Sequence, residues 1–336
     1  MNSVYSTKFW KTMKLKNVSL LFCVVSLCLA GCVAVDLSSF LEFQKLEEVT
    51  VQKAKSWITF NKVLMINVSG MIIEEDGGLF SDVTCTPKVM KAVLNKAEED
   101  SSIKAVILRI DSPGGTVGAS ELIAREVAQF RKRTGIPVHA QINGLGCSGA
   151  YYIAAACDKI NIQPSAISGS IGVIAMFPKY RRLADKIGFE QVVIKSGKLK
   201  DIGSGMRDMT DEERAVLQSV IDENYQGFLS WILQYRPQVG DRETLTKIAD
   251  GRIYTAKQAV EQKLADRICF LDETIEGVIA AAGLSDADVV TYCYWESEDA
   301  NIYSPSVRAA PLRLNMNLPQ PLNARNGFYY LWLPGE

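Results

Sequence analysis

The run Asn143-Gly-Leu-Gly-Cys-Ser-Gly-Ala-Tyr-Tyr-Ile-Ala-Ala-Ala-Cys157 constrains this chain more than any other stretch. Ahead of it, Ile136-Pro-Val-His-Ala-Gln-Ile142 is rich in β-branched and apolar residues and reads as a strand. A glycine turn follows and opens into an apolar, helix-forming segment. A strand passing through a tight turn into a helix is the unit of an α/β layer architecture. The same turn sets Ser148 at the junction, beside free backbone N–H groups and the positive end of a helix dipole. A hydroxyl held there is well placed to act as a nucleophile.

The flanking sequence repeats this alternation. Lys62–Ile73 reads as a strand pair broken at Gly70, and Thr86-Pro87 opens a helix through Ala97 with proline near its first position. Ile103–Ile110 is almost continuously apolar, as a parallel strand covered on both faces must be. It ends in Asp111-Ser-Pro-Gly-Gly-Thr116 and leads to an amphipathic helix, Ala119–Lys132. Ile160–Gln163 and Ile171–Ala175 are expected as short strands, which places a functional site at the strand C-termini. Beyond Pro178 the character is more helical: Leu183–Ile187, Asp211–Tyr235 and Ala256–Gln262, with Thr210 and Glu213 spaced as a helix cap.

At 336 residues the chain can form one or two domains. The division expected is an N-terminal signal over residues 1–35, a mixed, helical stalk over 36–60, a catalytic domain over 61–284 and an extended tail over 285–336. The tail closes on Phe328-Tyr-Tyr-Leu-Trp-Leu333, an apolar end suited to docking on a groove or a neighbour.

The formal charge of −1 gives no sign of an electrostatic nucleic-acid binder. Of eight cysteines, Cys23, Cys28 and Cys32 fall in one apolar stretch. Cys85, Cys147, Cys157, Cys269 and Cys293 are scattered without C-x-x-C pairing, so neither a zinc site nor a disulfide framework is expected. Lys8, Lys11, Lys14 and Lys16 precede the apolar run Val18–Val35, and acids follow it, which predicts the N-terminus inside and the bulk of the chain outside. The run reads equally as a bilayer-spanning anchor or as a signal segment ending in Leu29-Ala-Gly-Cys32, which resembles a lipoprotein lipobox with Cys32 as the lipidated residue. Both readings tether the chain to the outer face of a bacterial inner membrane.

Three patterns overlap at the Ser148 turn. Gly144-x-Gly146-x-x-Gly149 matches a dinucleotide fingerprint, but no acid stands about 20 residues on to hold a ribose. Gly146-Cys-Ser-Gly-Ala150 nearly matches the nucleophile elbow of α/β-hydrolases, which need a histidine after the serine. The single histidine, His139, precedes it and lies inside a strand, so it reads as structural. Cys147 as nucleophile lacks the same base. A serine without histidine takes lysine as its base, provided the amine is neutral, and burial can depress an amine by roughly 3–5 units. Lys195, Lys198 and Lys200 in Ile194-Lys-Ser-Gly-Lys-Leu-Lys-Asp-Ile-Gly203 are the candidates, and spacing does not choose among them.

Four segments together resemble the signal peptide peptidase A family of Ser/Lys peptidases. They are Arg109-Ile-Asp-Ser-Pro-Gly-Gly115, Ser148-Gly-Ala-Tyr-Tyr-Ile-Ala154, Ser168-Gly-Ser-Ile-Gly-Val173 and Lys195-Ser-Gly-Lys-Leu-Lys-Asp201. The resemblance covers roughly residues 60–270 and fits the short, single-unit form. It implies a Clp-protease/crotonase-like α/β fold, a superhelix of repeated β-β-α units that assembles as a ring-forming homo-oligomer. It implies Ser148 as nucleophile, Lys200 as base acting within its chain or on a neighbour, and Ser170 as the residue holding the amine. Gly114, Gly115 and Gly149 are implied as the oxyanion site. The implied partners are peptides, cleaved signal peptides first, with no metal, cofactor or nucleic acid. Ala150 departs from the glycine usual there, and Cys147 from a smaller residue. Two rivals remain: an acyl-CoA enzyme on the same fold, and a membrane scaffold without activity.

Overall fold

The computed structural model describes residues 46–74, 86–293, 301–302 and 327–331. Val18–Val35 and Cys32 lie outside these, and among the described residues no helix is long and apolar enough to cross a membrane.

The centre is a mostly parallel sheet. Its main strands are β1 (Glu47–Gln52), β2 (Lys62–Ser69), β3 (Ile103–Ser112), β5 (Val138–Cys147), β6 (Lys159–Ile162), β10 (Arg267–Ile268) and β11 (Asp288–Cys293), with β4 (Gly114–Thr116) set apart. Their order is β1-β11-β2-β3-β5-β6-β10, and β7 (Ile167–Gly169) continues from the far end of β5 to pair with β9 (Ile253–Thr255). β2, β3, β5 and β6 run parallel, with Leu64 opposite Val106 and Leu108 opposite Ala140.

Side chains alternate across the sheet, and the core divides accordingly. Leu64, Val68, Leu108, Ile110 and Ile142 face helices α1 (Pro87–Glu99) and α2 (Val117–Thr134), meeting Met90, Ile123, Val127 and Phe130. Val63, Met65, Ala105 and Ile107 face the other way, onto Leu271, Ile275 and Val278 of α8 (Leu271–Ala281). Covering both faces is why these strands carry unbroken apolar runs. Each fully buried aliphatic side chain contributes about 1.5–3 kcal/mol, so the core fixes the strand register.

The remaining helices are α3 (Gly149–Ala155), α4 (Arg181–Ile187), α5 (Asp211–Tyr235), α6 (Arg242–Ile248) and α7 (Ala256–Glu261). Capping starts the long ones where the sequence places them. The Thr86 hydroxyl accepts the Val89 N–H at 3.3 Å ahead of Pro87, and Thr116 does the same for Ala119. Thr210 and Glu213 form a reciprocal capping box on α5.

Four expectations change. Within the stretch expected to be a helical stalk, residues 47–52 are β1, paired antiparallel with β11. β11, within the stretch expected as an extended tail, is an interior strand joining β1 to β2. Its pairing depends on partners more than 200 residues earlier, which local sequence does not announce. The expected strand pair at Lys62–Ile73 is one strand to Ser69, after which only Ile72 forms a bridge, to Gly115. The strand expected at Ile171–Ala175 forms later, as β8 (Ile174–Met176).

A second, three-stranded sheet has the order β4-β12-β8, with β12 (Gly327–Leu331) antiparallel to both neighbours. Phe328–Leu331, part of the apolar end of the tail, therefore docks as a strand on its own chain.

Candidate active site

β5 leaves the main sheet with Cys147 opposite Gly169 of β7, and Ser148 is the next residue. Its backbone N–H donates to the Gly169 carbonyl at 2.8 Å, and its carbonyl accepts the Tyr152 N–H at 2.9 Å as α3 begins. Between these two bonds Ser148 has φ 53° and ψ −115°. A non-glycine residue held at positive φ stores roughly 1–3 kcal/mol, which the surrounding packing must sustain. The side chain is fully buried, and among the described residues its Oγ has no hydrogen-bond partner. A buried hydroxyl normally finds a partner, so an orphan one at a strained turn marks a place where another group is meant to arrive.

Ser170 follows Gly169 as Ser148 follows Cys147, and it too has positive φ, 50°. Its N–H donates to the Arg252 carbonyl at 2.7 Å, which fixes the turn. The two serines thus stand on adjacent strand ends. Beside Ser170 opens a cleft of about 510 Å³ edged by Gly172, Asp222, Tyr225, Asp250 and Leu331.

The glycines of β4 lie on the other side of Ser148. Gly114 has φ 101°, and a Cβ there would fall 2.8 Å from the Gly149 nitrogen and 2.1 Å from the Tyr330 carbonyl oxygen. At Gly115 a Cβ would fall 1.8 Å from the Ile72 carbonyl oxygen, so the bridge to Ile72 requires glycine. The Gly114 N–H donates to Ser112 Oγ at 3.1 Å, and that hydroxyl donates to the Gly70 carbonyl at 2.6 Å. Gly149, as the first residue of α3, has an N–H with no intrahelical acceptor. Gly114, Gly149 and Ser148 therefore share one corner. Ala150 is buried in α3 and packs into the core.

His139 stands on β5 nine residues before Ser148, roughly 30 Å along a strand, and is buried. Burial holds its imidazole below the ordinary histidine value. Cys147 is buried, its Sγ facing the Ile167 carbonyl at 3.7 Å, and burial pushes the thiol up to about 12. It stays protonated and is no nucleophile.

The three lysines lie on one exposed segment. Lys195 pairs with Asp201, and Lys198 with Glu212. The hydrogen bond to Glu212 raises Lys198, keeping it charged. Lys200, by contrast, has no carboxylate partner among the described residues, and it is exposed while Ser148 is buried. One copy of the chain does not bring Lys200 to Ser148 Oγ. The segment is pinned by Arg207, which holds the Asp201 carboxylate at 2.8 Å and Glu213 Oε2 at 2.9 Å. Hydrogen bonding to Arg207, then to Lys195, holds Asp201 well below the usual carboxylate range. Arg207 and the Thr210 N–H lower Glu213 to about 2.

Sequence reasoning did not find what covers the site. Tyr330 of β12 is fully buried against Tyr152 and Phe228, and its hydroxyl donates to the Asn224 carbonyl at 3.0 Å. The signal was the apolar end of the tail. Its partners, on β4, α3 and α5, share no local pattern with it. Among the described residues no cluster of histidine, cysteine or acidic side chains could hold a metal ion.

The peptidase family S49 pattern matches residues 130–285. A candidate protease of Methanocaldococcus jannaschii is 36% identical over 231 residues, 69% of this chain and 73% of its own. A candidate signal peptide peptidase SppA of Enterococcus faecium is 32% identical over 246 residues, 73% of this chain and 71% of its own. A solved structure of a membrane-bound stomatin-specific protease with a substrate peptide aligns over 64% of this chain and 79% of its own, at 19% identity and a TM-score of 0.38.

Proposed function

This chain belongs to peptidase family S49, the signal peptide peptidase A family, and from that premise we propose that it is a membrane-tethered serine endopeptidase acting through Ser148 and Lys200. Its substrates are peptides released in the membrane, cleaved signal peptides first, and its catalytic part faces the outer side of a bacterial inner membrane. The observation that carries this reading is the buried Ser148 hydroxyl, without a partner among the described residues and set at a strained strand end between two glycine-bearing turns.

In the reaction, Ser148 Oγ attacks the scissile carbonyl while the Lys200 amine takes its proton. The oxyanion develops in the corner of Gly149 and the Gly114–Gly115 turn, where each backbone donor is worth about 3–4 kcal/mol. Lysine then passes the proton to the leaving amine, giving an acyl-enzyme, and afterwards activates the water that releases the acid. Ser170, on the neighbouring turn, holds the amine.

Lys200 comes from a second copy of the chain in a ring-forming homo-oligomer. Two features support this: the exposure of Lys200 on a segment braced by Arg207, and the open cleft beside Ser170. Asp222 and Asp250 at that cleft suit an entering cation.

The test is mass spectrometry after treatment with a fluorophosphonate. A single adduct on Ser148, absent in Ser148→Ala, is expected. A folded protein that takes no adduct would exclude the serine mechanism.

A further inference from the structure

The loop between β1 and β2 carries its largest apolar side chains into solvent. Trp57 is fully exposed, Ile58 is 79% exposed and Phe60 83%. A single exposed apolar residue is ordinary on a protein surface. Three within four positions make a contiguous patch, and such a patch marks a place of interaction.

The loop is built to hold these side chains out. Asp288 Oδ1 accepts the Ala54 N–H at 2.7 Å, and Asp286 Oδ2 accepts both the N–H and the hydroxyl of Ser56, at 2.6 and 2.8 Å. On the returning side the Thr59 hydroxyl accepts the Asn61 N–H at 3.2 Å, and the Asn61 carbonyl accepts the Asp288 N–H at 3.0 Å. Asp288 opens β11, so the base of the loop is clamped to the main sheet while residues 57–60 project beyond it.

The chemistry of the tip selects its partner. An aromatic side chain offers roughly 150–250 Å², so with Ile58 the patch amounts to about 500–600 Å², short of the roughly 800 Å² that each side gives to a stable protein interface. A lipid surface needs no complementary pocket, and an indole at headgroup level buries its ring while its N–H stays wet. Charge is balanced around the tip: exposed Lys53 and Lys55 stand against Asp286 and Glu276, the last 3.7 Å from the Lys55 amine. The apolar side chains therefore set the preference. Chain length allows it too. Residues 36–45 separate the apolar run Val18–Val35 from Leu46. Fully extended they reach about 33–36 Å, more than the roughly 20 Å rise of β1, so an anchor in that run leaves the loop within reach of the same bilayer.

We propose that residues 57–60 are a membrane-docking tip, with Trp57, Ile58 and Phe60 entering the interfacial layer of the bilayer that holds the chain. The proposal rests on the reading of the chain as membrane-tethered and is independent of the serine chemistry. β2, β3 and β5 run parallel from the edge that carries this loop, and Ser148 follows the other end of β5.

The test reconstitutes the full chain in vesicles of phosphatidylethanolamine and phosphatidylglycerol. Ile58→p-benzoylphenylalanine is irradiated and its adducts are read by mass spectrometry after flotation. A phospholipid adduct at position 58 is expected. It should be lost when the same probe replaces Leu122, which is exposed on α2 near the Ser148 edge. Adding Trp57→Ser and Phe60→Ser should cut the adduct at position 58 by at least about tenfold, since each side chain removed is worth that much when buried. That variant should still float, held by its tether, and should cleave a soluble peptide in detergent at the unaltered rate. A floating protein without lipid adduct at position 58, or one cross-linked there to a second copy, overturns the docking tip and leaves the tether standing. A Trp57→Ser/Phe60→Ser protein that no longer floats supports the tip and overturns the tether. A full chain that never floats overturns both.

Discussion

The Ser148 backbone N–H and the Gly169 carbonyl, 2.8 Å apart, tie the end of β5 to the end of β7. That bond joins the Ser148 turn to the Ser170 turn, so the strain at one is sustained by the packing of the other. Both turns place a serine at positive φ, and both follow a register in which Cys147 faces Gly169. Both serines are anchored through their backbone N–H groups, and among the described residues the Ser148 hydroxyl has no hydrogen-bond partner.

Replacing Ser148 with alanine should therefore abolish hydrolysis without harming the fold. Among the described residues the buried Oγ has no hydrogen-bond partner, so removing it should leave melting unchanged or raise stability by up to about 1–3 kcal/mol. Peptidase activity should drop by at least about 10³-fold. Retained activity would mean that another group attacks the carbonyl.

Gly114→Ala should damage both activity and stability. Its φ of 101° is strained for any side chain, and the new methyl would collide with the Gly149 nitrogen at 2.8 Å. The expected cost is roughly 1–3 kcal/mol in urea unfolding, together with at least a 100-fold loss in kcat. A normal kcat would place the oxyanion elsewhere.

The segment carrying Lys200 should loosen in acid. Arg207 holds Asp201 below its ordinary range, and with Thr210 it lowers Glu213 to about 2. Carboxylates depressed in the folded state stabilise it above their unfolded values, and the contribution is lost as pH falls through the folded ones. Hydrogen-exchange protection over residues 195–213, corrected for the intrinsic rate at each pH, should be high at neutral pH and fall as pH drops from about 4.5 toward 2. Arg207→Ala should show the unprotected pattern at neutral pH and lose activity, since it unpins the segment.

Cys147 should be a bystander. Its thiol and that of Cys157 are both pushed up to about 12 by burial, so each stays protonated in the folded state while the unfolded thiol ionises near 9. Stability linked to these groups is complete below pH 9 and declines from there toward 12. Native protein at pH 8 should resist iodoacetamide at both sites, and Cys147→Ala should keep activity within about twofold. Fast alkylation of Cys147 with loss of activity would contradict this.

How much was legible in the sequence depends on the range over which each feature is decided. The strands β3 and β5, the caps at Thr86 and Thr210, and the turn at Ser148 follow from local pattern, because apolar runs, cap residues and glycines act within a few positions of themselves. The family motifs likewise lie in short stretches, so Ser148, Ser170 and the Gly114–Gly115 turn could be singled out before any fold was in hand. The choice among Lys195, Lys198 and Lys200 could not be made from spacing. What the folded segment adds is that Lys195 meets Asp201 and Lys198 meets Glu212.

What the tertiary structure alone decided is where distant segments meet. Nothing near Asp288–Cys293 says that it will join β1 to β2, and nothing near Tyr330 says that its ring will fill a pocket of Tyr152 and Phe228. Sheet edges and pockets are made by partners hundreds of residues apart, and their fit depends on shape and on unpaired backbone groups that a linear pattern does not carry. The sequence by itself determined the turn at Ser148, because strand, glycine and helix propensity agree there. The strand that covers the turn was decided by packing.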